Sequence, residues 1–229
     1  MSENLGGFLK PSVVKLTYYG GMSMDIYEAI RLRRTVREFN DKEVDVEVIK
    51  KILDAGLRAP TNNHMREWEF VIVNDKFSRL KLIDKVNKNM SESELTDSLG
   101  WTWDQCQREM YLNAVPKQYK MLLTAGCLIL PFFKQSSPLL NPNCLSDLNG
   151  FASIWLCIEN ILLAAVAEGI YGVTRIPFDE EIRHIKEAVN VPAEYEMPCY
   201  IALGYPNESA KQIKQLSIKV EDKIHFNKW

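Results

Sequence analysis

Cysteine and histidine are too few and too scattered here for several kinds of chemistry. The five cysteines (Cys106, Cys127, Cys144, Cys157, Cys199) are odd in number, widely spaced and set mostly among apolar residues, and no Cys-x-x-Cys pair occurs. That pattern argues against a disulfide framework and a thiolate zinc site and reads as reduced core thiols of a cytoplasmic protein. His64, His184 and His225 stand singly, so no metal centre is expected. A G-x-G-x-x-G fingerprint and a P-loop are both missing, so a nicotinamide nucleotide would visit rather than own a Rossmann domain. Charge of one sign is lacking too: 28 Lys and Arg face 30 Asp and Glu, a net charge of −2. Nothing global therefore attracts nucleic acid or a membrane surface. Residues 1–22 lack the basic flank and apolar run of a signal peptide. The most apolar stretch, about 148–168, is interrupted by Glu159, Asn160 and Glu168, which argues against a membrane span. No internal repeat or low-complexity tract is visible.

What the chain does have is the balance of a globular protein, 46% hydrophobic and 25% charged over 229 residues. Gly6-Gly7, Pro11 and Gly20-Gly21 mark residues 1–23 as an irregular N-terminal arm, leaving 24–229 as a single domain with ample core.

The densest chemistry lies in Arg33-Arg34-Thr35-Val36-Arg37-Glu38-Phe39, with Arg31 just upstream. Asp25 followed by Glu28 reads as a capping box for a helix to about Leu32, carried by Ile26, Ala29 and Ile30. Beyond it Thr35, Val36 and Phe39 favour extended chain, which would turn Arg33, Thr35 and Arg37 to one side. Two guanidinium forks flanking a hydroxyl suit a phosphate monoester. The same arginines also suit a plainer role, offsetting the helix dipole and pairing with Glu38 and Asp41 on a solvated surface.

The spacing of Ile49, Ile52, Leu53, Gly56 and Leu57 predicts a buried helix over Asp45–Arg58, stopped by Pro60. Thr61-Asn62-Asn63-His64 then forms a polar loop before a strand from Trp68 to Val73. A loop rich in short amides and hydroxyls can aim several donors at one flat ligand, or simply turn the chain. A helix is expected over Lys76–Val86, then a serine-rich loop, then a helical region from Trp101 to Thr124 broken near Pro116. Trp101, Trp103 and Tyr111 could stack on an aromatic substrate or pack internally. Cys127–Phe133 reads as a buried strand, and Asp147 as the cap of the longest helix, Leu148–Glu168. A strand over Tyr171–Ile176, a capped helix over Asp179–Val189 and a strand over Cys199–Tyr205 complete the body.

Two of these stretches together carry a family resemblance. Residues 33–39 resemble the arginine-arginine-serine/threonine-x-arginine-x-phenylalanine opening of the FMN-dependent nitroreductases. Ala59-Pro60-Thr61-Asn62-Asn63-His64-Met65-Arg66-Glu67-Trp68 resembles that family's alanine-proline-serine/threonine-x-x-asparagine-x-glutamine-proline-tryptophan loop. His64, Arg66 and Glu67 depart from it, standing for the usual asparagine, glutamine and proline.

The resemblance implies an α+β fold, a central mainly antiparallel sheet flanked by helices in an intertwined homodimer, with two FMN sites at the interface. By position, Arg33, Arg34, Thr35 and Arg37 would hold the phosphate and neighbouring polar groups. Pro60, Thr61, Asn62 and His64 would lie near the isoalloxazine ring, often across the dimer interface, and Gly172 and Val173 would pass beside its N5 side. Arg66 would either raise the flavin potential from the N1–C2 edge or pair with Glu67 at the loop rim. Arg175 departs from the family's bulky apolar residue and would face substrate or solvent. Near the C-terminus, where members often place a phosphate-site arginine, Lys214 and Lys219 are possible stand-ins. The implied activity is ping-pong electron transfer from NADH or NADPH through FMN to a small aromatic acceptor such as a nitroaromatic, quinone or free flavin. No catalytic side chain is implied, because the chemistry belongs to the cofactor. Alternatives are a non-catalytic FMN-binding redox sensor or storage protein, a flavin-dependent dehalogenase, and a flavin-consuming relative.

Overall fold

The computed structural model describes residues 24–88, 94–95, 104–208, 210, 213 and 216–229. The N-terminal arm, Trp101, Trp103 and Lys214 lie outside the described residues.

The core begins with Cys127–Lys134, named β2 for its place in the chain after β1, Trp68–Val73. Every residue of β2 but the last is buried, and its side chains alternate between two apolar layers. Cys127, Ile129 and Phe133 face one cluster; Leu128, Leu130 and Phe132 face the other. A strand buried on both faces loses the polar alternation of a half-exposed one, which is why it reads as a continuous apolar run.

The remaining strands are β3 (Tyr171–Arg175), β4 (Tyr195–Glu196) and β5 (Tyr200–Gly204). The sheet order is β1-β2-β5-β3, with β4 paired to β2, and every pairing is antiparallel. The two-residue β4 carried no periodic signal and is not foreseen by the sequence.

One layer is built from α2 (Val46–Leu57), which follows α1 (Ile26–Leu32), and from a long helix further on, α6 (Asn149–Ala167). Ile49 and Ile52 of α2 pack with Cys157, Ile158 and Ile161 of α6 against the sheet. The opposite layer holds α3 (Lys76–Leu82), α5 (Gln118–Thr124) and α7 (Asp179–Ala188), and α4 (Gln105–Ala114) precedes α5 in the chain. Leu82, Met121, Leu122 and Ile185 bring α3, α5 and α7 onto the sheet, whereas α4 buries no residue. Arg79 is buried in this layer with carbonyl partners: its Nε donates to Val73 O at 2.8 Å, and its Nη1 donates to the carbonyls of Leu123 and Ala125.

Leu145–Ala167 is long and apolar enough to cross a bilayer, with a mean hydropathy of 1.8. Within the fold its helix packs on α2, β2 and β3. Asp147 does not cap it. The Asp147 carboxylate instead accepts from the backbone N–H of Asn143 at 2.8 Å, and a short 3-10 turn over Leu145–Leu148 leads into α6. Gly169, at φ 71°, ends α6 in the left-handed region that a residue with a Cβ enters only at a cost. Two other caps also differ from expectation. Asp25 accepts from Tyr27 N at 2.9 Å, but Glu28 turns away to Arg31 at 3.0 Å, so no capping box closes α1. The first turn of α7 has no side-chain cap.

Candidate functional site

The basic run is extended, and it is fastened to the sheet rather than free. Thr35 bridges Gly172 of β3 in parallel, with Val36 N–H donating to Gly172 O at 3.1 Å. Phe39 bridges Pro206, and Asn207 N–H donates to Glu38 O at 2.9 Å. Buried Phe39 lies against Gly204 and anchors the far end.

This docking decides where the arginines point. Arg33, Arg34 and Thr35 line one cavity of about 150 Å³, together with Gly172, Val173 and Thr174 of β3 and Trp155, Glu159 and Leu162 of α6. Arg37 does not join them; it lines a separate groove with α4. The expectation that alternate residues 33, 35 and 37 share a side is therefore corrected. Arg33 is the exit residue of α1 rather than part of a regular strand, so strand alternation does not apply across it.

The cavity's polar groups are partly engaged. Arg33 Nε meets Glu159 Oε1 at 3.0 Å, with both side chains partly exposed. Arg34 Nη1 donates to Arg31 O and Arg33 O, each at 2.7 Å, covering carbonyls at the negative end of α1. Helix compensation is thus real for Arg34. Of the expected partners, Glu38 meets Lys117 at 3.0 Å, and among the described residues no ion pair joins these arginines to Asp41. Beside Arg34, burial pushes the Tyr171 phenol up, and the arginine's charge only partly offsets this.

Gly172 has a packing reason to be glycine. A Cβ there would lie 2.9 Å from Ala202 O, 3.3 Å from Leu162 Cδ2, and closer still to Leu203 Cδ2. The missing side chain lets β5 and α6 approach β3, so the glycine need not be explained by a ligand.

The amide loop is a short 3-10 turn over Asn62–His64 with unusual backbone. Asn63, His64 and Arg66 have φ of 50°, 55° and 49°, three left-handed residues without a glycine among them. Such strain persists only where the surroundings enforce it and concentrates at functional sites. Pro60, Asn62, His64 and Arg66 are exposed, whereas Thr61 Oγ1 is buried with no hydrogen-bond partner among the described residues. Glu67 pairs with Lys134 at 3.1 Å, which corrects the Arg66–Glu67 pairing.

Within one chain the loop and the cavity lie on different sides of α6. Asn62 N–H reaches Ser153 Oγ at 3.4 Å, whereas Trp155, Glu159, Leu162 and Val166 form the cavity wall. At 3.6 residues per turn these two faces are about 150° apart around the helix. Between them runs an apolar stripe of exposed Ala152 and Leu156 and half-buried Leu163, with Leu156 50% exposed.

Arg175 faces neither substrate nor solvent. It forms a buried two-pronged ion pair with Glu181, one arm at 2.7 Å, while its Nε donates to Gln118 Oε1 at 2.8 Å and Tyr200 Oη donates to Glu181 at 3.2 Å. Burial beside the Glu181 carboxylate drives the Tyr200 phenol far above its ordinary range. Among the described residues, no group of three or more His, Cys, Asp and Glu side chains could hold a metal ion. Trp155, Ile158, Glu159, Leu162, Val166 and Thr174 were the cavity residues missed from sequence. Glu159 had a usable signal, a lone acid in an apolar stretch opposite an arginine run.

Residues 30–205 match the family model of the nitroreductase family. The chain belongs to that family. Iodotyrosine deiodinase 1 of Homo sapiens is 29% identical over 204 residues, covering 88% of this chain and 68% of that protein. A protein of Methanothermobacter thermautotrophicus, provisionally named an NADH dehydrogenase/NAD(P)H nitroreductase, is 27% identical over 214 residues, covering 90% and 88%. Among solved structures, oxidized iodotyrosine deiodinase bound to FMN and 3-iodo-L-tyrosine superposes with a TM-score of 0.70 at 22% identity, covering 90% of this chain and all of that one.

Proposed function

We propose that this chain is an FMN-dependent oxidoreductase that works as a homodimer, taking electrons from NADH or NADPH and passing them to a small aromatic acceptor. The observation that carries the reading is the convergence of Arg33, Arg34 and Thr35 on one cavity beside β3. Two guanidinium groups and a hydroxyl match the oxygens of a terminal phosphate. At about 150 Å³ the cavity holds roughly five water volumes, enough for a phosphate and its linker but not a three-ring system. The rest of the cofactor would therefore extend beyond this cavity.

A second copy supplies a reason for three features at once. It would cover the Ala152, Leu156 and Leu163 stripe, offer a strained amide loop to the partner's cavity, and give Thr61 Oγ1 a ligand or partner group to bond. Arg33 and Arg34 then orient the phosphate, with Glu159 holding Arg33 in place. Bound FMN would supply the redox chemistry, and the protein's part is to bind and orient it.

The 29% identity to iodotyrosine deiodinase 1 favours a second reading, reductive dehalogenation of an aromatic acceptor at the same site. The test common to both is anaerobic addition of NADH or NADPH to the purified protein, followed by its visible flavin absorption. Prompt bleaching is expected, after which nitroaromatic and halogenated phenolic acceptors separate the two readings. Persistent colour would turn the reading toward a flavin-binding sensor or storage protein, and a colourless protein that takes up no FMN would overturn it.

A further inference from the structure

Helix α4 has no core of its own to fix where it stands. None of its residues is buried, and among the described elements its chief neighbour is the 3-10 turn that follows it, Val115–Lys117, with Pro116 inside. The capping box of Asp104 with Gln107 and the Gln105–Glu109 bond at 2.9 Å stay within the helix and its cap. Among the described residues its place is therefore set at the joint between α4 and α5.

That joint is tied to two segments of the candidate site. Lys117 Nζ donates to Glu38 Oε2 at 3.0 Å and to Asn113 Oδ1 at 3.3 Å, which holds the turn to the basic run and to the last turn of α4 at once. Next to it, Gln118 Oε1 accepts from Arg175 Nε at 2.8 Å. Arg175 closes β3, whose Gly172, Val173 and Thr174 line the cavity. Its direction is fixed, because both Nη groups are engaged by Glu181, which also accepts from Tyr200 Oη at 3.2 Å. A buried ion pair of this kind adds little stability over apolar residues of similar volume, and its better-attested use is to enforce one arrangement. The arrangement enforced here is a donor aimed at the first residue of α5.

We propose that Arg175 and Gln118 are positioning residues for the electron acceptor. Their bond sets how far α4 stands from Arg37 across the groove that the two line, and with it the size of acceptor admitted there. The acceptor half of this rests on the oxidoreductase reading; the placing of α4 does not.

The test uses the FMN-loaded protein. Gln118→Leu is expected to speed amide hydrogen exchange over residues 105–117 by about tenfold or more, the size of one hydrogen bond to a charged group, while β2 and α6 exchange as before. The ratio of kcat/KM for 2-methyl-1,4-naphthoquinone over that for 1,4-benzoquinone should rise by a similar factor, and this ratio is independent of how much enzyme is folded. Gln118→Glu keeps an acceptor for Arg175 Nε and should restore both readouts. Arg175→Met with Glu181→Leu removes the donor without stranding a charge and should reproduce both changes. Exchange that rises evenly across the fold, or a quinone ratio unmoved by Gln118→Leu and by the paired change, would overturn the proposal. A yellow, NAD(P)H-bleachable protein with an unmoved ratio refutes the proposal and leaves the oxidoreductase reading standing. A colourless protein refutes that reading and the acceptor half with it, and loosening confined to residues 105–117 would still establish the brace.

Discussion

Replacing Gly172 with alanine asks whether the glycine beside the cavity serves the fold or the ligand. The new methyl would sit 2.9 Å from Ala202 O and 3.3 Å from Leu162 Cδ2, and nearer still to Leu203 Cδ2. Leu203 is fully buried and Ala202 O belongs to the sheet, so neither yields freely. Overpacking of this kind costs about 1–3 kcal/mol. Alanine recovers about 0.4–1 kcal/mol by restricting the unfolded chain, because Gly172 is not in the left-handed region. With the overpacking cost taken at about 2–3 kcal/mol because neither neighbour yields freely, the net loss is about 1–2.6 kcal/mol, a fall in Tm of roughly 2–10 °C for a chain of this size. Urea unfolding followed by circular dichroism measures it. In a double-mutant cycle with Leu203→Ala, which alone should cost about 2–5 kcal/mol, the two losses should combine with a favourable coupling of about 1 kcal/mol. FMN affinity of the folded variant should change little. Unchanged stability with an FMN affinity lowered by about tenfold or more would refute the packing argument and return the glycine to the ligand.

Two further perturbations probe the interior. Glu181→Gln should destabilise by about 3–5 kcal/mol because it strands the buried Arg175 charge, whereas the paired change Arg175→Met with Glu181→Leu should cost far less; similar losses in both unfolding curves would contradict this. Burial raises the Cys127 and Cys157 thiols to about 12 from 9.0 and raises Cys199 as well. The unfolded chain therefore sheds these protons first above pH 9, and stability, fully present below pH 9, should fall toward pH 12 by about a kcal/mol per unit for each thiol. Native alkylation followed by mass spectrometry should modify exposed Cys144 and spare these three, and early labelling of Cys127 would contradict the burial.

Much of the fold was legible because its elements carry local signals. The apolar spacing of α2, the unbroken apolar run of β2 and the proline break between α4 and α5 each appear where the sequence puts them. Charged side chains were harder to place. Arg175 and Arg37 stand in similar polar-apolar surroundings in the sequence, yet one is locked to Glu181 from α7 and the other faces α4. Those partners lie on separate elements, and only tertiary packing decides between them. Caps failed for a related reason: Asp147 has a competing local donor in Asn143, and Glu28 has one in Arg31. The two motifs of the resemblance and the long helix α6 were each legible, but not that α6 stands between the loop and the cavity.

The groove helix α4 contributes nothing to either apolar cluster, while α6 is a wall of the cavity and a pillar of the core at once. Residues on α4 are thus cheap to exchange, since few of their substitutions endanger folding. Substitutions are expected to accumulate there across the family, with α6 held nearly still by its double duty.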